Sequence, residues 1–415
     1  MTIDGAEGQP VGPVLMRWPD VPRAGTTGTG ILDGARTRIW TRAELLHEHA
    51  ACVDDLLAAT GAPLTASRRW WDAWLEAYPE MSPWIVARVG EDGMLRALAP
   101  LARRHRRGWT EVVMIGDGVS DYTRLPARSE HDASVLAGQI AEHLGSLRSP
   151  WTLALRQLPP NDPGARELVA RLGHGSLRGG GAAPRTAITS RQSSHYLSRS
   201  YRKNARNRFN RLTAAGHRPR VEFVHEPEQV QAVLDEVVRV CRARERQMMG
   251  RSHLDDPRQE RFFRSVAISL AEQGSLELAL LVADDRIAAY QLHLLDRGVY
   301  RAWNGHHDPA WGRFSPGHVL DHQVFERVLA DASFHEFDWM MGTLPYKLRS
   351  ATHLAAAEEV VAASSPMTAM AAFGPRRLRQ RAVAIAREDE RAARVVDRLR
   401  QLRRHLPGRR STATG

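Results

Sequence analysis

The order of predicted elements between residues 228 and 340 constrains the fold of this chain more than any other feature. Apolar residues recur first at helical spacing and then in short runs typical of strands, with turn residues between the segments. The predicted series is helix 228–248, helix 257–273, strands 276–282, 287–295 and 299–304, a loop with Gly312, Pro316 and Gly317, helix 318–332 and strand 334–340. A three-stranded meander between helices predicts an α/β fold of the α+β type, with a mixed sheet flanked by helices.

The first half of the chain shows the same mixture of periods. Trp70, Trp71 and Trp74 recur at helical spacing, which favours a buried helix face over a ligand platform. Residues 84–89 and 95–101 are predicted as hairpin strands around a tight turn. The glycine-rich residues 173–194 are predicted as a loop or linker between the halves, with a strand near 186–189.

The length of 415 residues favours two domains with tails, at about 150 residues per domain. The predicted division is a disordered leader over residues 1–38, an N-terminal domain over 39–180, a C-terminal domain over 181–365 and a basic helical tail over 366–415. Apolar residues recur every seven positions in the tail. This spacing leaves a docking helix, a coiled-coil seam and peripheral membrane contact as interpretations, and it leaves open whether the protein is a monomer or a homodimer.

The composition indicates which class of partner and which cellular compartment to expect. The 58 Lys and Arg residues exceed the 47 Asp and Glu residues, and the net charge of +11 favours an anionic partner such as a nucleotide cofactor, nucleic acid or a membrane surface. Cys52 and Cys241 are too few for a disulfide framework or a structural zinc site. The chain start lacks the pattern of a signal peptide, and no run approaches the ~18 apolar residues of a membrane span. We therefore expect a cytoplasmic protein.

The segment 303–320 gives the strongest indication of a binding site. A predicted strand ends, a loop with Gly and Pro follows, and a helix begins near Pro316 or His318. The free N–H groups and partial positive charge of a helix start favour a pyrophosphate, and Arg313 and His318 can add side-chain donors. The neighbouring His306 and His307 point to opposite faces of a strand, so no metal site is predicted.

Two phrases carry a resemblance to a known family: Arg-Phe-Ser-Pro-Gly-His at 313–318 and Phe-Asp-Trp-Met-Met-Gly-Thr-Leu-Pro-Tyr-Lys at 337–347. With them, residues 45–365 resemble the GNAT-like domain of the CelD family, which is named for a protein of cellulose biosynthesis and is itself similar to FemAB peptidyltransferases. The basic segment 201–208 and the phrase Gly-Asp-Gly-Val-Ser-Asp-Tyr at 116–122 fit the same family.

This resemblance implies two tandem GNAT-like domains, the first without full catalytic equipment. It implies acetyl-CoA or another acyl-CoA as co-substrate, without a metal, held by Arg313, Phe314, Ser315, Gly317 and His318. The implied catalytic residues are Tyr346 as general acid, Asp338 and His293 as candidate bases, and Lys347 to orient the donor or the nucleophile. Pro316 and His318 depart from the family pattern, because ordinary GNAT loops carry small residues there.

Three functions follow from the resemblance. The first is N-acyl transfer from acyl-CoA to an amine of a sugar, an amino acid or a small metabolite. The second is peptidyl transfer from aminoacyl-tRNA, as in FemAB-like relatives, which the basic charge would suit. The third is a non-catalytic accessory role in envelope polysaccharide synthesis. The basic helix 197–215 leaves a solvated face, an anionic acceptor such as a lipid-linked sugar, and tRNA as interpretations.

Overall fold

The computed structural model describes residues 14–15, 36–106, 108–188 and 198–374. The rest of the leader, residues 189–197 of the linker and the tail from residue 375 lie outside the described residues. In the first half the elements are β1 (Val14–Leu15), β2 (Arg36–Trp40), α1 (Glu44–Glu48), α2 (Ala50–Ala59), α3 (Arg68–Ala77), β3 (Ser82–Pro83), β4 (Ile85–Val89), β5 (Leu95–Ala99), β6 (Leu101–Arg106), β7 (Trp109–Met114), α4 (Glu130–Gly145), β8 (Trp151–Leu158), α5 (Pro163–Arg171) and β9 (Ser176–Ala187).

The second half follows the predicted series. Its elements are α6 (Arg199–Ala214), β10 (Pro219–Val224), α7 (Pro227–Met249), α8 (Pro257–Glu272), β11 (Leu276–Ala283), β12 (Arg286–Asp296), β13 (Val299–His307), α9 (Pro316–Ala330), β14 (Glu336–Asp338), α10 (Pro345–Leu348) and β15 (His353–Ala363). None of the helices in the described part of the chain is both long and apolar enough to cross a membrane.

The two halves repeat one order of elements. The first runs from β2 through α1–α3, β4–β7, α4, β8 and α5 to β9, and the second from β10 through α7, α8, β11–β13, α9, β14 and α10 to β15. In each half a parallel strand pair brackets a helix: β7 and β8 enclose α4, and β13 and β14 enclose α9. The predicted fold class, a mixed α/β architecture with a mixed sheet flanked by helices, is confirmed.

One sheet runs through both halves. Its order is β10-β11-β12-β13-β14-β9-β15-β8-β7-β6-β3, with β1 paired to β15 and a separate small sheet of β2, β4 and β5. The C-terminal strand β15 lies between β9 and β8, so the end of the second half pairs with the first half. The predicted boundary at residues 180 and 181 therefore falls inside a strand.

The glycine-rich stretch at 173–188 is the main difference from the predicted elements. We expected a loop, but residues 176–187 form β9 and pair along β15. The glycines serve close packing: a Cβ at Gly180 would lie 3.1 Å from the carbonyl oxygen of Ala357, and one at Gly181 would lie 2.5 Å from Cε of Met341. The predicted strand 334–340 is shorter than expected, with only Glu336–Asp338 paired.

The predicted tryptophan face is in the core. Trp70, Trp71 and Trp74 are all buried. The ring of Trp70 packs edge-on against Phe262 and Trp303 of the second half, at centroid distances of 5.2 Å each. The helix α3 thereby joins the two halves through side chains, in addition to the backbone pairing of the sheet.

Candidate active site

The strands β13 and β14 diverge after a short paired segment. Residues 299–301 pair with 336–338, while β13 continues to His307 and, among the described strands, pairs there with β12. The loop that leads into α9 lies at the far end of β13, and the segment that leads into α10 follows β14. The predicted donor-binding and catalytic residues are distributed around this divergence.

The start of α9 is built to accept a negative group. Ser315 has a left-handed backbone conformation (φ 51°), its side chain does not cap the helix, and the first turn carries no acidic residue. The Oγ of Ser315 accepts a hydrogen bond from the guanidinium of Arg208 on α6. A 15-residue helix with an uncapped N-terminus and a cation beside it offers the partial charge and the N–H groups that a phosphate prefers.

Of the five residues predicted to hold the donor, one is buried in the core and four lie at the start of α9. The guanidinium of Arg313 is exposed and lies 4.6 Å from the centre of the Phe314 ring, while Phe314 itself is buried in the core. Gly317 has open space, since a Cβ there would come no closer than 3.9 Å, to Nδ1 of His307. The ring of His318 stacks on Tyr201 of α6 at 4.0 Å. Phe314 therefore supports the loop from below, and the other four residues lie at the helix start.

A half-buried carboxylate lies one turn beyond His318. Asp321 accepts a hydrogen bond from Nε2 of Gln291 on β12 at 2.6 Å and one from the hydroxyl of Tyr201 at 3.4 Å. Burial raises the pKa of Asp321 to about 7, although both hydrogen bonds lower it. A carboxylate that titrates near neutral pH and keeps some access to solvent has the properties of a general base.

Tyr346 lies on the short helix α10, close enough to Asp321 for the two charges to interact. Its ring meets Trp339 edge-on at 6.0 Å, and the residue is 44% exposed. Burial raises the pKa of Tyr346, and the negative charge of Asp321 raises it further. The hydroxyl therefore keeps its proton at neutral pH, as a general acid must.

Lys347 holds the segment between β14 and α10. Its Nζ donates to the carbonyl oxygens of Trp339 at 2.7 Å and of Met341 at 3.0 Å. Burial lowers the pKa of Lys347, and the carboxylates of Asp121 and Asp338 oppose that shift. Asp121 comes from the first-half phrase 116–122 and accepts a hydrogen bond from the backbone N–H of Met341. Both halves thus fix this segment.

Asp338 does not have the environment of a base. It is fully buried, forms ion pairs with Arg301 and Arg185, and accepts a hydrogen bond from the hydroxyl of Tyr122 at 2.8 Å. Burial would raise the pKa of Asp338, but the two guanidinium groups outweigh it and hold the pKa below its usual value. The geometry corrects the expectation from the sequence: Asp338 is a permanent anion that joins the halves.

His293 is also unsuited to accept a proton from a substrate. Its side chain is fully buried, its ring packs on Tyr300 at 4.4 Å, and neither ring nitrogen has a hydrogen-bond partner among the described residues. Burial lowers its pKa to about 3. A neutral, inaccessible imidazole belongs to the core, which removes the second predicted base.

Comparison with known proteins shows what this part of the chain is similar to. Residues 199–348 match the family model described as Acetyltransferase (GNAT) domain. This part of the second half is therefore similar to a GNAT acetyltransferase domain. The match begins at α6 and ends with α10, so it contains the helix start at Ser315, Asp321 and Tyr346.

Two solved structures share the fold of this chain. The crystal structure of FemX is 11% identical in sequence, with a TM-score of 0.53 over 78% of this chain and 96% of that chain. The C-terminal domain (DUF2156) of a predicted lysylphosphatidylglycerol synthetase from Agrobacterium fabrum is 12% identical, with a TM-score of 0.50 over 79% of this chain and 94% of that chain. At this identity the likeness concerns the fold alone. No curated protein matches the sequence.

The sequence contained a signal for Asp321 that pattern analysis did not use. His318, Asp321, Phe325 and Val328 recur at spacings of three, four and three, so a carboxylate lies within the stripe of α9 that faces the core. A charged residue in a buried stripe needs a polar partner, and Gln291 supplies it here. The partnership itself could not be read from the sequence, because 30 residues separate the two.

Proposed function

We propose that this chain is an N-acyltransferase that moves an acyl group, with acetyl as the first candidate, from acyl-CoA to an amine of a sugar, an amino acid or a small metabolite. The observation that carries the proposal is the half-buried Asp321, with its pKa near 7, one turn from an uncapped helix start and near Tyr346 in a GNAT domain. The backbone at residues 315–318, with Arg208 and Arg313, would hold the pyrophosphate of the donor.

The two proton transfers that the reaction needs can be assigned to Asp321 and Tyr346. When bound, acyl-CoA supplies an activated acyl carbon. Asp321 would take a proton from the attacking amine, and the hydroxyl of Tyr346 would give one to the leaving sulfur. Lys347 would act through the backbone that it holds, and Asp338 through the junction that it fixes, rather than as a base.

A transfer assay with a panel of amine acceptors tests the proposal. We expect Asp321→Asn to lower kcat by ~10²–10⁴, the range of general acid–base catalysis, while affinity for acyl-CoA changes little. Glu326→Gln is the matched control, because it removes one carboxylate charge from an exposed position of the same helix. Equal effects of the two substitutions would refute the role of Asp321.

A second donor, aminoacyl-tRNA, is favoured by one feature of α6. Five of its cations are exposed and form no ion pair with a carboxylate among the described residues: Arg199, Arg202, Lys203, Arg206 and Arg211. Such a row would bind a phosphate backbone with strong dependence on salt. If tRNA binding weakens steeply with salt and no acyl-CoA binds, this donor replaces acyl-CoA in the proposal.

We also propose a family, a biosynthetic setting and a cellular location for this protein. The phrases at 313–318 and 337–347 support membership of the CelD family, and envelope polysaccharide synthesis would then be the setting for a sugar acceptor. A cytoplasmic location is supported by the free thiols of Cys52 and Cys241. Detection of an N-acylated amino sugar among the products would support this setting, and acylation of amino acids alone would oppose it.

A further inference from the structure

A compact group of metal-binding side chains lies on the face of the sheet opposite α9. Cys241 and Glu245 are one turn apart on α7, and His253 follows in the turn before α8. One ligand atom from each of the three lies within 4.8 Å of the others. The group belongs to neither the acyl-donor loop nor the proposed catalytic pair.

A fourth donor comes from β13. The Nε2 of His306 lies 3.6 Å from Oε1 of Glu245, so its imidazole borders the three-residue group through Glu245. Its neighbour His307 lies on the other face, near Gly317. The expectation that the adjacent histidines do not share one ion agrees with this geometry, but His306 alone joins ligands from other elements.

The donor set suits zinc. A thiolate, a carboxylate and two imidazoles are the side chains that bind Zn²⁺ in proteins, and four of them complete a tetrahedral site. Cys241 and Glu245 are buried, whereas the side chain of His253 is 37% exposed and gives the ion a path from solvent. Among the described residues, Glu245 forms ion pairs only with the two imidazoles, so a divalent cation would balance its buried charge.

The surroundings already orient the ligands. Glu245 Oε2 accepts hydrogen bonds from Ser252 Oγ at 2.7 Å and from the backbone N–H of His253 at 3.0 Å. The hydroxyl of Tyr290 lies beside Cys241 and donates to Oδ1 of Asn304 at 2.6 Å. Outer contacts of this kind fix ligand orientation in metal sites. On binding, the thiol would release its proton, and Nδ1 of His253 would exchange its bond to Glu245 for the metal.

We propose that Cys241, Glu245, His253 and His306 form a Zn²⁺ site that ties the end of α7, the turn before α8 and β13 together. The site would hold the α7–α8 turn against the sheet, so its loss would lower thermal stability. It does not depend on the proposed acyl transfer.

Zinc titration of the tag-free, full-length protein, after removal of metal with a chelator, tests the site. We expect one equivalent to bind at micromolar affinity or tighter, with proton release and a rise in Tm. Cys241→Ser and His306→Asn should each weaken binding at least tenfold, whereas the matched controls Cys52→Ser and His307→Asn should not.

Cobalt substitution first gives a readout in the wild-type protein, which needs no variant. A thiolate-to-Co²⁺ absorption band in the wild-type protein would place a cysteine on the ion, and its loss in Cys241→Ser would identify which one. The proposal is overturned if the wild-type protein takes up no zinc, or if Cys241→Ser and His306→Asn bind zinc as tightly as the wild type. In either case the group is a hydrogen-bonded clasp of the α7–α8 turn.

Discussion

The helices α4 and α9 occupy the same place in the two halves, but their first turns are opposite in character. α4 begins at a cap, Ser129, whose Oγ accepts from the backbone N–H of Asp132 at 3.1 Å. The carboxylate of Asp132 lies in the same turn and forms a buried ion pair with Arg88 at 2.9 Å. α9 begins at Ser315 without a side-chain cap or an acidic residue, and Arg208 approaches it from α6.

This difference is consistent with our proposal that the first half is structural and the second half binds the donor. In α4 the chain supplies its own anion to the helix dipole, so a phosphate would meet a carboxylate there. In α9 the same position carries donors and a cation, which suits the anionic donor that we propose binds there. The two halves share one topology. We propose that a few side chains in the first turn of α4 or α9 determine whether that helix start can bind an anion.

The largest effect expected from this comparison is on stability in the first half. Asp132→Asn would remove the carboxylate charge that faces the buried guanidinium of Arg88, and we expect a loss of about 3–5 kcal/mol in the free energy of unfolding. Urea denaturation measures the loss. The exposed pair Arg96–Asp92 is the control, because Asp92→Asn should cost at most about 1 kcal/mol. A similar small loss in Asp132→Asn would show that the α4 start is not held by this pair.

The second prediction concerns the pH dependence of catalysis in the second half. Because the pKa of Asp321 is raised to about 7, kcat should fall by roughly tenfold per pH unit below that value as the base becomes protonated. The pH–rate profile of the wild type measures this limb. A profile that stays flat from pH 7 down to 5 would exclude Asp321 as the base.

The third prediction uses a buried carboxylate of the first half, Asp162, which should affect the pH dependence of stability but not that of kcat. Burial raises the pKa of Asp162, the cap of α5, to about 6. The pKa values of Asp162 and Asp321 are both higher in the folded protein than in the unfolded chain. Between those values the native state holds a proton that the unfolded chain has released, so each contribution to stability is lost as pH rises through the folded pKa. Asp162→Asn should flatten the stability profile between about pH 4 and 6. It should leave the kcat profile unchanged, and a change there would contradict the division of roles between the halves.

Sequence patterns predicted the elements of both halves because helix periods, strand runs and turn residues are local. They failed where the decisive contact is distant. The run of glycines at 179–181 resembles a linker until β15 is placed beside it. Asp338 resembles a strand-end base until Arg185 and Tyr122 reach it from the first half. The loop that leads into α9 could be predicted because its signal, Gly and Pro before a helix, is local.

The fourth prediction makes the first turn of α9 resemble that of α4. Gly317→Asp would place a carboxylate in the first turn of α9, and we expect the Kd for acyl-CoA to rise at least tenfold, or about 1.4 kcal/mol. Isothermal titration measures it. The space around Gly317 accepts a side chain, and Gly317→Asn supplies the neutral isostere. Equal weakening by Asp and Asn would show that size, rather than charge, governs this position.

The smallest effect is expected from the cation beside α9. Arg208→Gln removes the guanidinium that donates to Ser315 Oγ, and we expect the Kd for acyl-CoA to rise about threefold, since a partly exposed charge contributes at most about 1 kcal/mol. Arg202→Gln changes an exposed cation of the same helix and should leave that Kd unaltered. If the donor is aminoacyl-tRNA instead, both substitutions should weaken its binding alike and reduce the salt dependence, because a phosphate backbone contacts the whole row of charges. The ratio of the two effects therefore separates a single pyrophosphate at one helix start from a polyanion along α6.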